Sequence, residues 1–238
     1  MKPDGALVLL SGGQDSTTCL YWAQKRWKNV SALTIVYGQR HAVEVDAATK
    51  IAADAGVEHE VLELSRLLHG TSPLVNPEHE VGQYENAEQL PGGIEPTFVP
   101  CRNILFLTVA ANRAVVKGYT NLITGVCEED YGGYPDCRAD FIARMEEALQ
   151  AGIWGIESDM LVRIHTPLMH LTKRETVEMA VGLDGCMEAM SHSHTCYKGM
   201  VPPCGKCHAC ILRAKGFDDA GVADPLLTRL DSGCSTNG

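Results

Sequence analysis

The stretch "LLSGGQDSTT", Leu9 to Thr18, constrains what this chain can fold into more than any other. It overlaps "ALVLL" at 6–10, a short apolar run ended by glycines, which predicts a buried strand. Asp15, Ser16 and Thr17 are helix-start signals, so residues 15–27 are predicted as a helix. A strand that feeds a glycine turn and then a helix amino terminus makes an anion site. The glycines let the backbone approach, the unpaired amides donate, and the helix dipole favours negative charge. Ser11, Ser16, Thr17 and Thr18 add hydroxyl donors, so phosphate is the expected anion. Counting excludes two common loops. The G-x-x-x-x-G-K-[ST] spacing and its Lys are missing, and no third glycine completes G-x-G-x-x-G.

The segments that follow keep a regular rhythm. "VSALTIVY" at 30–37 is β-branched and strand-like, residues 41–55 are helical and closed by Gly56, and "EHEVLEL" at 58–64 alternates as a strand. This β-α-β-α-β order predicts a parallel sheet with helices on both faces. Residues 70–100 break the rhythm and hold five of the eleven prolines, as a functional lid loop would. Helices at 102–116, 140–152 and 172–183 and strands at 121–126 and 160–168 then complete a five-stranded, mostly parallel, doubly wound α/β sheet. Thr172 and Glu175 have the spacing of a capping box. The expected organisation is a nucleotide domain over 1–185, a small cysteine module over 186–220 and a loose tail over 221–238.

Ten cysteines are present, and four of them, Cys196, Cys204, Cys207 and Cys210, follow the spacing C-x7-C-x2-C-x2-C. Each x2 step lets two thiolates reach one ion, and four complete the tetrahedral shell of a structural Zn²⁺. Lys198, Lys206 and Arg213 would offset the thiolate charge. An iron–sulfur cluster and a redox pair are competing readings of the same cysteines.

The formal charge of −10 lacks the basic excess of a protein that grips nucleic acid through phosphates, so small-molecule substrates are expected. Apolar runs such as "ILFLTVAA" at 104–111 are too short to span a bilayer, and the start has no secretory cleavage site, so a cytoplasmic protein is expected. The loop "TGVCEEDYGGYPDCR" at 124–138 begins where the fourth strand ends, at the active edge of the sheet. Glu128, Asp130, Tyr134, Asp136 and Arg138 are its candidate pocket residues, against the alternative of a solvated polar loop. Tyr37, Gly38 and Gln39 follow the second strand, a reasonable place for an adenine base. Arg102 sits at a helix start, where a cation opposes the dipole and an anionic ligand would explain it.

The loop S-G-G-x-D-S resembles the pyrophosphate loop of the AMP-forming ATPases, which include NAD and GMP synthetases and tRNA-modifying ligases. "SGGQDSTT", "YGQRH", "TFVPCRNILFL", "GVCEEDYGGYPDCR", "TPLMHLTKRET" and "CYKG…CGKCHACILR" occur together in the order of the 7-cyano-7-deazaguanine synthase family, from about residue 7 to 217. The chain is similar to that family over nearly its whole length, with Cys101 where the family usually has Gly. The resemblance implies a homodimeric ligase that binds ATP, Mg²⁺ and one structural Zn²⁺ per subunit. Its reaction converts 7-carboxy-7-deazaguanine and ammonia into the nitrile through adenylated intermediates. It places ATP on Leu9, Leu10, Ser11, Gly12, Gly13, Gln14, Asp15, Ser16, Thr17, Thr18 and Cys19, with Tyr37, Gly38, Gln39 and Arg102. Asp15, Lys173, Arg213 and Arg138 are the expected catalytic groups, with Lys173 and Arg213 meeting the substrate carboxylate or the α-phosphate. Lys173 as a helix-surface residue and Arg213 as a counter-charge of the cysteines are the plainer alternatives. Another ligase on the same loop, a tRNA thiolase or a lysidine-type enzyme, is the functional alternative.

Overall fold

The computed structural model describes residues 5–39, 43–65, 67–91, 93–128, 133–153 and 161–234. Strands β1 (Gly5–Leu9), β2 (Asn29–Val36), β3 (Glu58–Glu63), β4 (Asn121–Ile123) and β5 (Arg163–His165) form one sheet in the order β3-β2-β1-β4-β5. Every pairing is parallel, with Leu7 opposite Ser31 and Leu122, and Thr34 opposite Val61.

The period of two along β1 sorts its side chains onto two cores. Ala6, Val8 and Leu10 face a core shared with α1 (Gln14–Gln24), α2 (Val43–Asp54), α5 (Lys173–Val181) and α6 (Cys186–Met190). Leu7 faces the opposite core, built with Leu107, Ala110 and Ala111 of α3 (Arg102–Val116) and Ile142 and Leu149 of α4 (Ala139–Ile153). Helix ends follow their sequence signals. Gly56 takes φ +66° after α2, with Val57 N–H bonded to Ala52 O at 3.1 Å, and Thr172 and Glu175 make both bonds of the capping box.

Both later strands are shorter than predicted. β4 leaves the ladder near Gly125, where a Cβ would lie 3.2 Å from the Asp15 carbonyl carbon, so the chain turns there toward the glycine loop. β5 stops at His165, ahead of a turn in which Met169 N–H bonds Thr166 O across Pro167, a residue with no amide to donate.

Two further expectations on organisation need correction, and the expected lid is anchored. Residues 186–190 do not open the cysteine module. Cys186, Ala189 and Met190 of α6 are buried in the first core. The tail up to residue 234 is not loose: α7 (His208–Ala220) is followed by α8 (Pro225–Cys234), and residues 235–238 lie outside those described. Asp224, just before Pro225, takes Arg213 in a bidentate pair at 2.6 and 2.8 Å, with both side chains under a tenth exposed, and Leu226 is buried beside it. A polar composition concealed a buried ion pair. Residues 70–100 are strapped down rather than free. Val81 packs on the cysteine cluster, Leu90 packs on Ile211 and Leu212, and Tyr84 N–H bonds Lys206 O at 2.7 Å.

Cys101, at the start of α3, has φ +64° and is the non-glycine residue of positive φ among those described. A side chain there costs about 1–2 kcal/mol, partly offset by the greater chain entropy that glycine loses on folding. Cys101→Gly is therefore expected to raise stability by about 0.5–1 kcal/mol, read as a higher denaturation midpoint at unchanged slope.

Candidate active site

The strand order reverses direction between β1 and β4, and ligands in such sheets bind beyond the carboxyl ends at that point. A cavity of about 320 Å³ opens there. Leu9, Leu10, Ser11, Gly13, Gln14, Asp15 and Ser16 line its floor. Gly12 has φ +87°, and a Cβ on it would meet Glu44 O at 2.2 Å, so this position is closed to any side chain. Gly13 caps α1 with no side-chain cap, which leaves first-turn amides available to a ligand. Ser11 and Ser16 hydroxyls lie 3.0 Å apart and shape the turn. Three predicted hydroxyl donors are otherwise engaged, Ser16 among them, whose hydroxyl donates to Gly13 O at 3.0 Å. Thr17 bonds Gly13 O at 2.9 Å and Thr18 bonds Gln14 O at 3.0 Å, both within the helix. Gly12, Thr17, Thr18 and Cys19, and the exposed Gly38, are not part of the cavity lining. Cys19 is fully buried, and burial pushes its thiol up. Tyr37 and Gln39 do line the cavity, with Tyr37 N–H donating to Gln39 Oε1 at 2.8 Å.

The cationic residues fare differently. Lys173 reaches from the first turn of α5 to Asp15 Oδ2 at 2.7 Å, which places an ammonium beside the turn. α7 presses on its base: a Cβ on Gly216 would lie 3.0 Å from Lys173 Cβ. Arg213 reaches the wall, but its guanidinium is committed to Asp224 and to Ser193 Oγ at 2.8 Å, so its visible role is to tie α8 to the site. Arg138 is exposed, donates to Gly133 O at 3.3 Å and does not line the cavity.

Two of the acids expected in the pocket, Glu128 and Asp136, are elsewhere. Glu128 accepts from Ala139 N–H at 2.6 Å and faces His170. Asp136 is buried under α3, where it accepts from Asn103 N–H at 3.3 Å. Neither belongs to the lining, and Asp130 lies outside the described residues. Tyr134 does line it, with its hydroxyl 2.5 Å from Thr97 Oγ1.

An acid that the sequence did not single out faces the cavity. Glu44, in the first turn of α2, stands among His194, Arg102 and Cys196, and burial pushes its carboxyl up to about 7. In the sequence it is one more acid at a helix start. Only the packing of Gly12 on α2 brings it here. Arg102 also lines the cavity, in a collar of Tyr37, Tyr134 and Tyr197. Burial opposes its charge, but these phenols more than offset that and hold its pKa above the usual guanidinium value. Its Cζ is 5.9 Å from the Tyr37 ring centroid, and Tyr37 meets Phe106 edge-on at 5.2 Å.

Beside this site the sulfur atoms of Cys196, Cys204, Cys207 and Cys210 lie within 4.8 Å of one another, close enough to hold a metal ion. Cys204 and Cys210 sulfurs are 3.9 Å apart, near the spacing of a tetrahedral thiolate shell with bonds of about 2.3 Å. An iron–sulfur cluster places iron and sulfide between its thiolates and needs them farther apart. Hydrogen bonds from Cys207, Cys210 and His194 favour the thiolate of Cys196, the form that ligates metal. The cluster also touches the glycine turn. His194 N–H bonds Gly12 O at 2.8 Å, and Thr195 Cγ2 would sit 3.2 Å from a Cβ on Gly13. Gln14 Oε1 and His194 Nε2, both in the cavity wall, are buried without a hydrogen-bond partner among the described residues, as befits groups that meet a polar ligand.

The family model for "Queuosine biosynthesis protein QueC" matches residues 5–221. Three curated proteins, each called 7-cyano-7-deazaguanine synthase, align over almost the full length. The one from Gloeobacter violaceus is 52% identical over 224 residues, 93% of this chain and 94% of its own. The one from Laribacter hongkongensis is 50% identical over 229 residues, 96% of each. The one from Chromobacterium violaceum is 51% identical over 231 residues, 94% of this chain and 93% of its own.

Proposed function

The chain belongs to the family of queuosine biosynthesis protein QueC, and from that premise we propose that it is the ligase that makes 7-cyano-7-deazaguanine from 7-carboxy-7-deazaguanine, ammonia and ATP. A carboxylate resists attack by ammonia because its oxygen leaves poorly. In this reading the carboxylate attacks the α-phosphorus of ATP, pyrophosphate departs, and ammonia displaces AMP to give the amide. The amide oxygen attacks a second ATP in the same way. Loss of a proton and AMP then leaves the nitrile. Each product therefore costs two ATP and releases two AMP and two pyrophosphates.

The observation that carries this reading is the uncapped first turn of α1 at the cavity floor, with the Lys173 ammonium at Asp15. Such a turn suits the β,γ end of ATP, where charge builds as pyrophosphate leaves. Mg²⁺ is a hard cation that takes carboxylate and phosphate oxygens, and Asp15 is the group here to share it; it would neutralise phosphate charge. Zn²⁺ on the four cysteines would hold structure, since four thiolates leave no open position for substrate. The net charge of −10 suits small-molecule partners, and a cytoplasmic homodimer completes the reading.

Labelled acid tests it. With ATP, ammonium and 7-carboxy-7-deazaguanine carrying ¹⁸O in its carboxylate, mass spectrometry should find the nitrile and one ¹⁸O in each AMP. Unlabelled AMP, or ADP with labelled phosphate, would mean that bond cleavage falls elsewhere on the triphosphate. Lys173→Met should lower kcat/KM by about 10²–10³-fold, the usual worth of one preorganised donor at developing charge. Steady-state rates check this, and a loss below tenfold would leave Lys173 as a mere partner of Asp15.

A further inference from the structure

This inference rests on the reading above and concerns how the same cavity selects its base. Glu44 and Arg102 line one cavity, yet neither has an oppositely charged partner within 4.0 Å among the described residues. Half-buried charges are normally paired, and two complementary groups on one cavity wall that lack such a partner are placed to be met by what enters it. Their chemistry is directional. A carboxylate only accepts hydrogen bonds, and a guanidinium only donates them. The same cavity is lined by Tyr37, Phe106, Tyr134 and Tyr197, aromatic faces suited to a flat ring.

We propose that Glu44 and Arg102 bracket the aminopyrimidinone edge of the guanine-like base, with the carboxylate accepting from N1–H and the exocyclic amine and the guanidinium donating to the ring carbonyl oxygen. That edge presents two adjacent donors followed by an acceptor, and Glu44 and Arg102 present the matching set in the same order. Adenine offers a bare ring nitrogen where N1–H is required. Its lone pair would face the carboxylate, so the pair also keeps the adenine of ATP out of the base site. Glu44 thereby takes the part that the sequence assigned to acids in 128–136.

Binding of two bases to the zinc-loaded protein tests the bracket by calorimetry: 7-cyano-7-deazaguanine and its analogue without the 2-amino group. Wild type should prefer the amino base by about 10- to 100-fold, the worth of a charge-assisted hydrogen bond. In Glu44→Gln, which keeps size and shape, the preference should fall to about threefold or less, with ATP affinity within about threefold of wild type. Arg102→Met should weaken both bases alike, because both carry the ring carbonyl. Retained ATP affinity reports an intact fold in Glu44→Gln, and a wild-type melting temperature does so in Arg102→Met. Undiminished preference in Glu44→Gln, with the bases still bound, overturns the bracket and leaves the assigned reaction standing. Loss of ATP affinity with preference intact also overturns it, because adenine then occupies this end. Failure of wild type to bind either base overturns the bracket together with the assigned substrate.

Discussion

Alanine at Gly12 is expected to abolish nucleotide-dependent turnover, with kcat/KM down by at least about 10³-fold, whereas alanine at Gly13 leaves the fold intact. The two glycines are adjacent, but their surroundings differ in kind. A Cβ on Gly12 would sit 2.2 Å from Glu44 O and 2.9 Å from Ala48 N, both backbone atoms of α2. Backbone inside a packed helix cannot yield without moving the helix or the turn. The φ of +87° adds about 1–2 kcal/mol of its own. Together with overpacking, the expected loss of stability is about 3 kcal/mol or more. The turn would shift off its amides, and Glu44 would shift with it. A Cβ on Gly13 meets instead the Thr195 methyl at 3.2 Å, a side-chain atom that can rotate, at an ordinary φ of −83°. Gly13→Ala should lose less than about 1 kcal/mol, its effect confined to whatever its methyl takes from the phosphate space. Thermal melts and ATP titrations on the two variants decide the matter. A Gly12→Ala protein that binds ATP like wild type would mean that the turn is not the nucleotide seat.

The contrast between these glycines marks where sequence information stops. The strand-turn-helix at 6–24 was legible because each part depends on near neighbours: an apolar run, two glycines, and hydroxyls at a helix start. The four cysteines were legible because short spacings force thiolates together. The boundaries of β4 and β5 were not, because they end where the chain must approach Asp15 or turn at Pro167, and these are tertiary demands. The acids at 128–136 drew attention by density alone, yet Glu128 and Asp136 accept from backbone amides at the starts of α4 and α3. Glu44 carried no sequence signal, because its importance depends on Gly12 packing against α2. Arg213 and Asp224 mislead in the opposite way: a cation beside the cysteines and a polar tail turned out to be one buried pair. Chemistry set by spacing was readable, and chemistry set by a distant partner was not.

The cysteine cluster is where these longer-range demands meet, so stripping its metal should have the second large effect. Val81 of the 70–100 strap packs on the cluster, and Tyr84 and Glu85 hold Lys206 beside it. On the other side the chain runs from Cys196 through Thr195 to His194, whose N–H holds Gly12 O. A shell of four thiolates would fix both connections at once, and without an ion four converging sulfurs must share protons or move apart. Metal-binding energies of about 10–16 kcal/mol in small zinc folds set the upper scale, and a domain with its own core should lose a fraction, about 3–6 kcal/mol. Because the two sheet cores do not include the cluster, chelation should leave far-UV circular dichroism largely native while the melting temperature falls. ATP affinity should fall by at least about tenfold, since the turn loses its tie to His194, and added Zn²⁺ should restore it. Chelated protein that melts lower yet binds ATP unchanged would confine the metal to the module. A melt unmoved by complete metal removal would show that the four thiols pack well enough alone.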